Sequence, residues 1–146
     1  MYKTILVPLD GSKCAESILP HVESLAKAFE SEIILLRVVD NAPASVTTTA
    51  AQIRKEDFES DQETTESYLG EKADELRKKG LNVRTLILYG AAVKSIIEAA
   101  GEQKVDLITM GSHGRSGISQ AFYGSVAAGV LNRVDRPLLL IRPTEC

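Results

Sequence analysis

The stretch Ile33-Ile34-Leu35-Leu36-Arg37-Val38-Val39 decides the fold class, because six of its seven residues are apolar. A half-exposed strand alternates apolar and polar residues, whereas a strand buried on both faces is almost continuously apolar. Strands of the second kind occur almost only in parallel sheets that carry helices on each side. This stretch therefore predicts an interior strand of a parallel sheet.

Apolar runs and amphipathic stretches alternate along the rest of the chain. Parallel neighbours need a crossover helix, and right-handed crossovers place helices on both faces of the sheet. The prediction is an α/β, doubly wound, Rossmann-like fold with a five-stranded parallel sheet. The predicted strands are Ile5–Val7, Ile33–Val39, Val83–Leu88, Val105–Met110 and Leu138–Ile141. The predicted helices are Ala15–Phe29, 52–79, Val93–Ala100 and Ala127–Val134. Ser12 is expected to cap the first helix, and Pro20 either kinks it or marks a later start. Gly80 and Gly101 are expected to end the second and third helices.

Length and charge limit the classes of protein that fit. The 146 residues are expected to form one domain, 1–146. A formal net charge of -3 without a basic stripe predicts no nucleic-acid partner, and the absence of a long apolar run predicts no membrane span. Cys14 and Cys146 lie outside any CxxC spacing, so we expect no disulfide framework and no zinc site. Together with an N-terminus that lacks a signal-peptide pattern, this predicts a cytoplasmic location.

The loop after the fourth predicted strand carries the clearest chemical signal. It reads Met110-Gly111-Ser112-His113-Gly114 and, nine residues later, Gly124-Ser125 at the start of the last helix. In doubly wound sheets ligands bind beyond the carboxyl ends of the strands. Glycine-shaped backbone amides and a helix N-terminus form an anion site, which predicts a phosphate cradle with the Ser125 hydroxyl added. The alternative is that the glycines only shape a turn and Ser125 only caps a helix.

Several motifs of nucleotide enzymes are absent. The chain contains no GxxxxGK[ST] loop, which excludes a P-loop ATPase, and no GxGxxG follows the first strand, which disfavours a dinucleotide site. No GxSxG elbow occurs either. A nucleotide-free receiver or flavodoxin-like module is a further alternative. Asp10, however, stands without the acidic partners that a receiver needs, and such a module would leave the glycine pattern unexplained.

The glycine pattern, with Asp10 after the first strand, resembles the nucleotide-binding branch of the universal stress protein family. The resemblance covers the whole chain and includes Ile5–Ser12, Met110–Gly117 and Arg136–Ile141. It implies an adenine nucleotide alpha hydrolase-like form of the fold, ATP as ligand and Mg²⁺ held through the phosphates. It also implies a homodimer, with strand 138–141 as a candidate interface.

The resemblance further implies individual roles. Asp10 would accept hydrogen bonds from ribose hydroxyls, for which the alternative is that it only starts a turn with Gly11. The implied nucleotide-binding residues are Pro8, Asp10, Val39, Met110, Gly111, Gly114, Gly124, Ser125 and Val126, with Leu9, Ser12, His113 and Arg115 as further candidates. No side chain is expected to ligate a metal directly.

Two functions from different classes follow. The first is an ATP-binding stress-response regulatory module that acts as a homodimer in the cytoplasm, with little or no catalysis. The second is a slow Mg-dependent ATPase or phosphoryl-transfer protein. The chain shows no residue pattern for a water-positioning base or an arginine finger, which favours the first.

Overall fold

A five-stranded, all-parallel sheet forms the centre of the molecule. The computed structural model describes residues 1–39, 64–112 and 124–143. The strand order is β3-β2-β1-β4-β5, and every neighbouring pair is parallel. The strands are β1 (Thr4–Pro8), β2 (Glu32–Val39), β3 (Asn82–Tyr89), β4 (Leu107–Gly111) and β5 (Leu138–Ile141). The predicted fold class is confirmed.

Helices cover both faces of the sheet, as the crossover argument requires. They are α1 (Lys13–Glu16), α2 (Leu19–Phe29), α3 (64–77), α4 (Ala92–Glu102) and α5 (Ser125–Arg133). One buried cluster joins the sheet to α1, α2 and α3, and a second joins it to α4 and α5. Among the described residues, no helix combines the length and the apolar character needed to cross a bilayer.

Strand β2 explains why the two clusters exist. Ile33 and Leu35 belong to the first cluster, whereas Ile34 and Leu36 belong to the second. All four side chains are fully buried. Burial of such a side chain stabilises the folded state by about 1.5–3 kcal/mol. The continuous apolar run is therefore used on both faces of the sheet.

The predicted helix boundary at Pro20 is confirmed, and the one at Gly101 is wrong. The sequence left Pro20 as a kink or a later helix start, and the later start is found, because α1 ends at Glu16 and Pro20 lies in the first turn of α2, where its missing N–H is not needed. Gly101 does not stop α4, which continues to Glu102. The chain leaves that helix instead at Lys104, whose φ of 52° is left-handed. Gly80, with φ of 85°, does follow the end of α3 as predicted.

Cys14 corrects the prediction about cysteine chemistry. Its side chain is buried in α1, and its sulfur is disulfide-bonded. The expectation of a chain without disulfides is therefore wrong at this position. The chain's other cysteine, Cys146, lies outside the described residues.

The short helix α1 is tied to α3 by an ion pair. The Lys72 Nζ atom lies 2.7 Å from a Glu16 carboxylate oxygen, and both side chains are only 21% exposed. The hydrogen bond to Glu16 raises the pKa of Lys72 above its ordinary value of 10.5, although partial burial opposes the shift. The pair joins two elements that are far apart in sequence.

The contact between α4 and α5 gives a first test of the packing. A Cβ atom added at Gly129 would come within 2.6 Å of a Val93 methyl group, so we expect Gly129→Ala to lower the free energy of unfolding by about 1–3 kcal/mol. Gly70→Ala in α3 is the matched control, because nothing lies within 4 Å of its added Cβ, and alanine should stabilise the helix by up to about 1 kcal/mol. Urea unfolding of both variants measures this. Equal effects would contradict the packing.

The ion pair gives a second test, through pH. Because the pKa of Lys72 is raised in the folded state, the ion pair stabilises that state fully at pH values below 10.5. This stabilisation is lost as the pH rises through the folded-state pKa. We expect Lys72→Met to lower the free energy of unfolding by about 1 kcal/mol at pH 8, and the difference from wild type to shrink above pH 10.5. Urea titrations between pH 8 and 11.5 measure it. A difference that grows with pH would contradict the assignment.

Candidate functional site

The order of the strands places a crevice between β1 and β4. The chain builds β1, β2 and β3 outward in one direction and then returns to add β4 and β5 on the other side of β1. Register pairs join Ile5 with Leu107 and Leu6 with Ile108, while β1 continues to Pro8 and β4 to Gly111. The loops that follow these two strands therefore leave the sheet in opposite directions, which is the usual ligand position of this fold.

Backbone hydrogen bonds build the β4 side of the crevice. The Ser112 amide donates to the Ile141 carbonyl (2.8 Å), and the Gly124 amide donates to the Ser112 carbonyl (2.7 Å). These bonds hold the first turn of α5 beside the end of β4. Gly124 is the N-cap residue of α5 and has no side chain with which to cap this end. The unsatisfied amides of the first turn and the positive end of the helix dipole are therefore located at the crevice.

The structure brings most of the predicted β4 residues together. Met110 is 6% exposed at the end of β4, Gly111 is buried opposite Ile141, and Ser125 is exposed at the start of α5. Val126 follows in the same turn and is half-buried. The predicted residues His113, Gly114 and Arg115 lie outside the described residues.

The β1 side of the crevice depends on a side-chain network around Asp10. The Asp10 Oδ1 atom accepts hydrogen bonds from the Ser12 amide (2.9 Å) and the Ser12 hydroxyl (2.5 Å). The Ser12 Oγ atom in turn accepts a hydrogen bond from the Ala15 amide (3.1 Å) and caps α1 as predicted. Gly11 between them has φ of 86°, which favours glycine. The turn reading of Asp10 is thus realised, and its carboxylate is held at the carboxyl edge of the sheet.

The other predicted residues on the β1 side of the crevice differ in how much of their surface is exposed. Pro8 is half-buried at the end of β1, and Val39 is half-buried at the end of β2, where its carbonyl accepts a hydrogen bond from the Gly90 amide (2.9 Å). Leu9 is only 3% exposed, and its amide donates to the Leu36 carbonyl (2.8 Å). Leu9 is therefore part of the core below the crevice.

A charged cluster that the sequence did not reveal joins α1 to α3. The Lys72 Nζ atom that pairs with Glu16 also lies 5.9 Å from the centre of the Tyr68 ring. Burial, then the Glu16 carboxylate and more weakly Asp10, raise the pKa of Tyr68 above its ordinary value of 10.0, while Arg37 opposes the shift. The Tyr68 hydroxyl oxygen is buried, and no described group meets it in hydrogen-bond geometry. Acidic, basic and phenolic groups thus meet between α1 and α3, and α1 directly follows the Asp10 turn.

The sequence held only a weak signal for this cluster. Tyr68 and Lys72 are spaced four residues apart on α3, each directly before a buried residue of the apolar stripe, Leu69 and Ala73. Charged and phenolic residues beside such a stripe are typical of a solvated helix face. Arg37 is the single polar residue in the apolar run of β2 and was the more visible sign.

The family comparison covers nearly the whole chain. A family model described as "Universal stress protein family" matches residues 1–142. Universal stress protein MJ0577 of Methanocaldococcus jannaschii is 31% identical over 97% of this chain and 96% of its own. Universal stress protein Rv1636 of Mycobacterium tuberculosis is 29% identical over 98% of both chains.

Solved structures agree with this relationship. The structure of MJ0577 superposes with a TM-score of 0.87 and 29% identity, covering 100% of this chain and 99% of that one. A universal stress protein solved in complex with cAMP superposes with a TM-score of 0.67 and 25% identity over 97% of both chains. By sequence match, topology and superposition, this chain belongs to the universal stress protein family.

Proposed function

We propose that the crevice between the ends of β1 and β4 binds ATP, and that the protein is an ATP-binding regulatory module of the stress response with little or no catalysis. The observation that carries the proposal is the hydrogen bond from Gly124 to Ser112, which fixes the uncapped start of α5 beside the end of β4. The cAMP complex of a structurally similar universal stress protein supports a nucleotide ligand.

The phosphates would lie on the β4 side. The amides of Ser125 and Val126 offer donors together with the positive end of the α5 dipole, and the exposed Ser125 hydroxyl adds another. The Gly124 amide already donates to Ser112, so Gly124 would contribute by leaving room for the phosphates. Gly111 allows the phosphate chain to approach the backbone closely, since it has no side chain. Gly114, His113 and Arg115 remain predicted contacts on this side.

The ribose and adenine would lie toward β1 and β2. The Asp10 carboxylate is oriented by Ser12 and can accept hydrogen bonds from ribose hydroxyls. Pro8 and Val39, both half-buried at strand ends, and Met110 offer apolar surface to the adenine ring. The β4 side would thus contact the phosphates, and Asp10 would contact the ribose. The adenine would lie against the apolar side chains at the strand ends.

Mg²⁺ would be held mainly by the nucleotide. Within residues 1–39, 64–112 and 124–143, no three His, Cys, Asp or Glu side chains come together as a metal site. Mg²⁺ in such sites keeps several waters and is ligated by substrate phosphates. When bound, the ion would neutralise part of the triphosphate charge.

We also propose a homodimer formed through β5. This strand pairs with β4 on one side of the sheet order and ends the sheet on the other. Leu138, Leu139, Leu140 and Ile141 are each only half-buried. A second copy of the strand would cover these side chains and pair with the backbone edge.

A cytoplasmic location and the absence of nucleic-acid partners stay predictions.

Native mass spectrometry tests the ligand and the dimer together. With Mg²⁺ and ATP present, we expect a particle of twice the 15.8 kDa chain mass that carries one ATP per chain. Gly124→Val should reduce the retained ATP by at least about tenfold, because the added side chain lies where the first-turn amides meet the phosphates. Gly101→Val in α4 is the control, since nothing lies within 4 Å of that position's added Cβ.

The same sample reports catalysis, because ATP and ADP differ in mass. We expect bound ATP to persist, whereas conversion to ADP at about 1 s⁻¹ would favour the phosphoryl-transfer alternative. Equal ATP retention by the Gly124 and Gly101 variants would contradict the assigned phosphate contacts. A particle with the mass of a single chain would contradict the dimer.

A further inference from the structure

We infer that the Glu16–Lys72 ion pair positions Asp10 for recognition of the ribose hydroxyls, acting through the short helix α1. The inference deepens the proposed ATP site and rests on it. Glu16 and Lys72 are positioning residues here, because neither is assigned a contact with the nucleotide.

The helix α1 cannot hold its own position. It has four residues, so it is little more than one helical turn, and isolated helices of that length are not stable in water. Its place is therefore set by contacts outside the helix. At its start Ser12 supplies the cap, and in its middle Ala15 is buried and Cys14 is both buried and disulfide-bonded. At its last residue Glu16 pairs with Lys72.

Ser12 links the position of α1 to the orientation of Asp10. One oxygen atom, Ser12 Oγ, accepts the hydrogen bond from the Ala15 amide of α1 and donates to the Asp10 Oδ1 atom. A shift of α1 therefore moves the group that orients the carboxylate. Hydrogen bonds to a charged group are strong and depend steeply on geometry.

The ion pair is placed where it can control such a shift. The two charged atoms are 2.7 Å apart, and each side chain is only 21% exposed, so solvent screens the pair less than a surface pair. The Tyr68 ring lies beside the ammonium group on α3 and limits its freedom. The contrasting pair, Lys79 with Glu23 at 3.0 Å, joins α2 to the end of α3 and has a 51% exposed lysine.

The test is the discrimination between ATP and its deoxy analogues. We expect wild type to bind 2′-deoxy-ATP or 3′-deoxy-ATP about tenfold more weakly than ATP. In Lys72→Met and in Glu16→Gln this ratio should fall below about threefold, and the double variant should match the single ones, because both substitutions break one contact. Lys79→Met should keep the wild-type ratio. Calorimetric titration with the three nucleotides gives all the dissociation constants.

Overall affinity separates positioning from simple electrostatics. Removing the Lys72 charge disfavours an anionic ligand and removing the Glu16 charge favours one, so ATP affinity alone should move in opposite directions. The ratio should fall in both variants, and a merely structural pair would leave it unchanged.

Each outcome decides a different statement. ATP binding by wild type with an unchanged ratio in the two variants would overturn this inference and leave the proposed function intact. A change in Lys72→Met alone would also overturn it, because the route through Glu16 would be excluded. No ATP binding by wild type would overturn the proposed function and this inference with it. If one single variant does not fold, the other carries the test from the opposite end of the pair.

Discussion

Burial of the central strands on both faces is the constraint on which the rest of the structure depends. β1 and β2 contribute side chains to two separate clusters, one under α1, α2 and α3 and one under α4 and α5. Such strands are typical of a parallel sheet whose neighbouring strands are joined by crossover helices. The chain must then reverse its direction of growth once to use both sides of β1. That reversal creates the crevice, so the position of the candidate site is a consequence of core packing.

The two walls of the crevice are built in different ways. On the β4 side, backbone hydrogen bonds run from Ile141 through Ser112 to Gly124, and no side chain takes part in them. On the β1 side, side chains connect Asp10 through Ser12 to α1, and Glu16 connects α1 to Lys72. Backbone geometry tolerates substitution of side chains, whereas a chain of side-chain contacts is lost when one member changes. The β1 wall is therefore the sensitive one.

The sequence predicted what depends on local patterns. The apolar run of β2, the Ser12 cap and the left-handed Gly80 each follow from rules that act within a few residues, and each is confirmed. Gly101 shows the limit of such rules. Its added Cβ would meet nothing within 4 Å, and the helix continues through it, because a glycine permits a helix end without requiring one.

The rest depends on contacts between distant segments. The Glu16–Lys72 pair joins elements whose proximity only the completed sheet defines. Lys72 has the residue type and helical position of a solvated side chain, so no pattern within α3 separates it from its exposed neighbours. Arg37 was visible as a polar residue in an apolar strand, but its relation to Asp10 and Tyr68 follows from the register of β1 and β2 with α3 packed above them.

The different construction of the β1 and β4 walls has a consequence for selectivity among nucleotides. In the proposed site, the amides and helix dipole of the β4 wall would recognise the number and charge of the phosphates, which differ between ATP and a cyclic monophosphate. The ribose hydroxyls differ as well: a 3′,5′-cyclic nucleotide has no 3′-hydroxyl to donate to a carboxylate. A universal stress protein 25% identical to this chain forms a complex with cAMP. In the proposed site, selection by the ribose would therefore lie at the β1 wall, where Asp10 and the contacts that orient it are found, and selection by the phosphates would lie at the β4 wall.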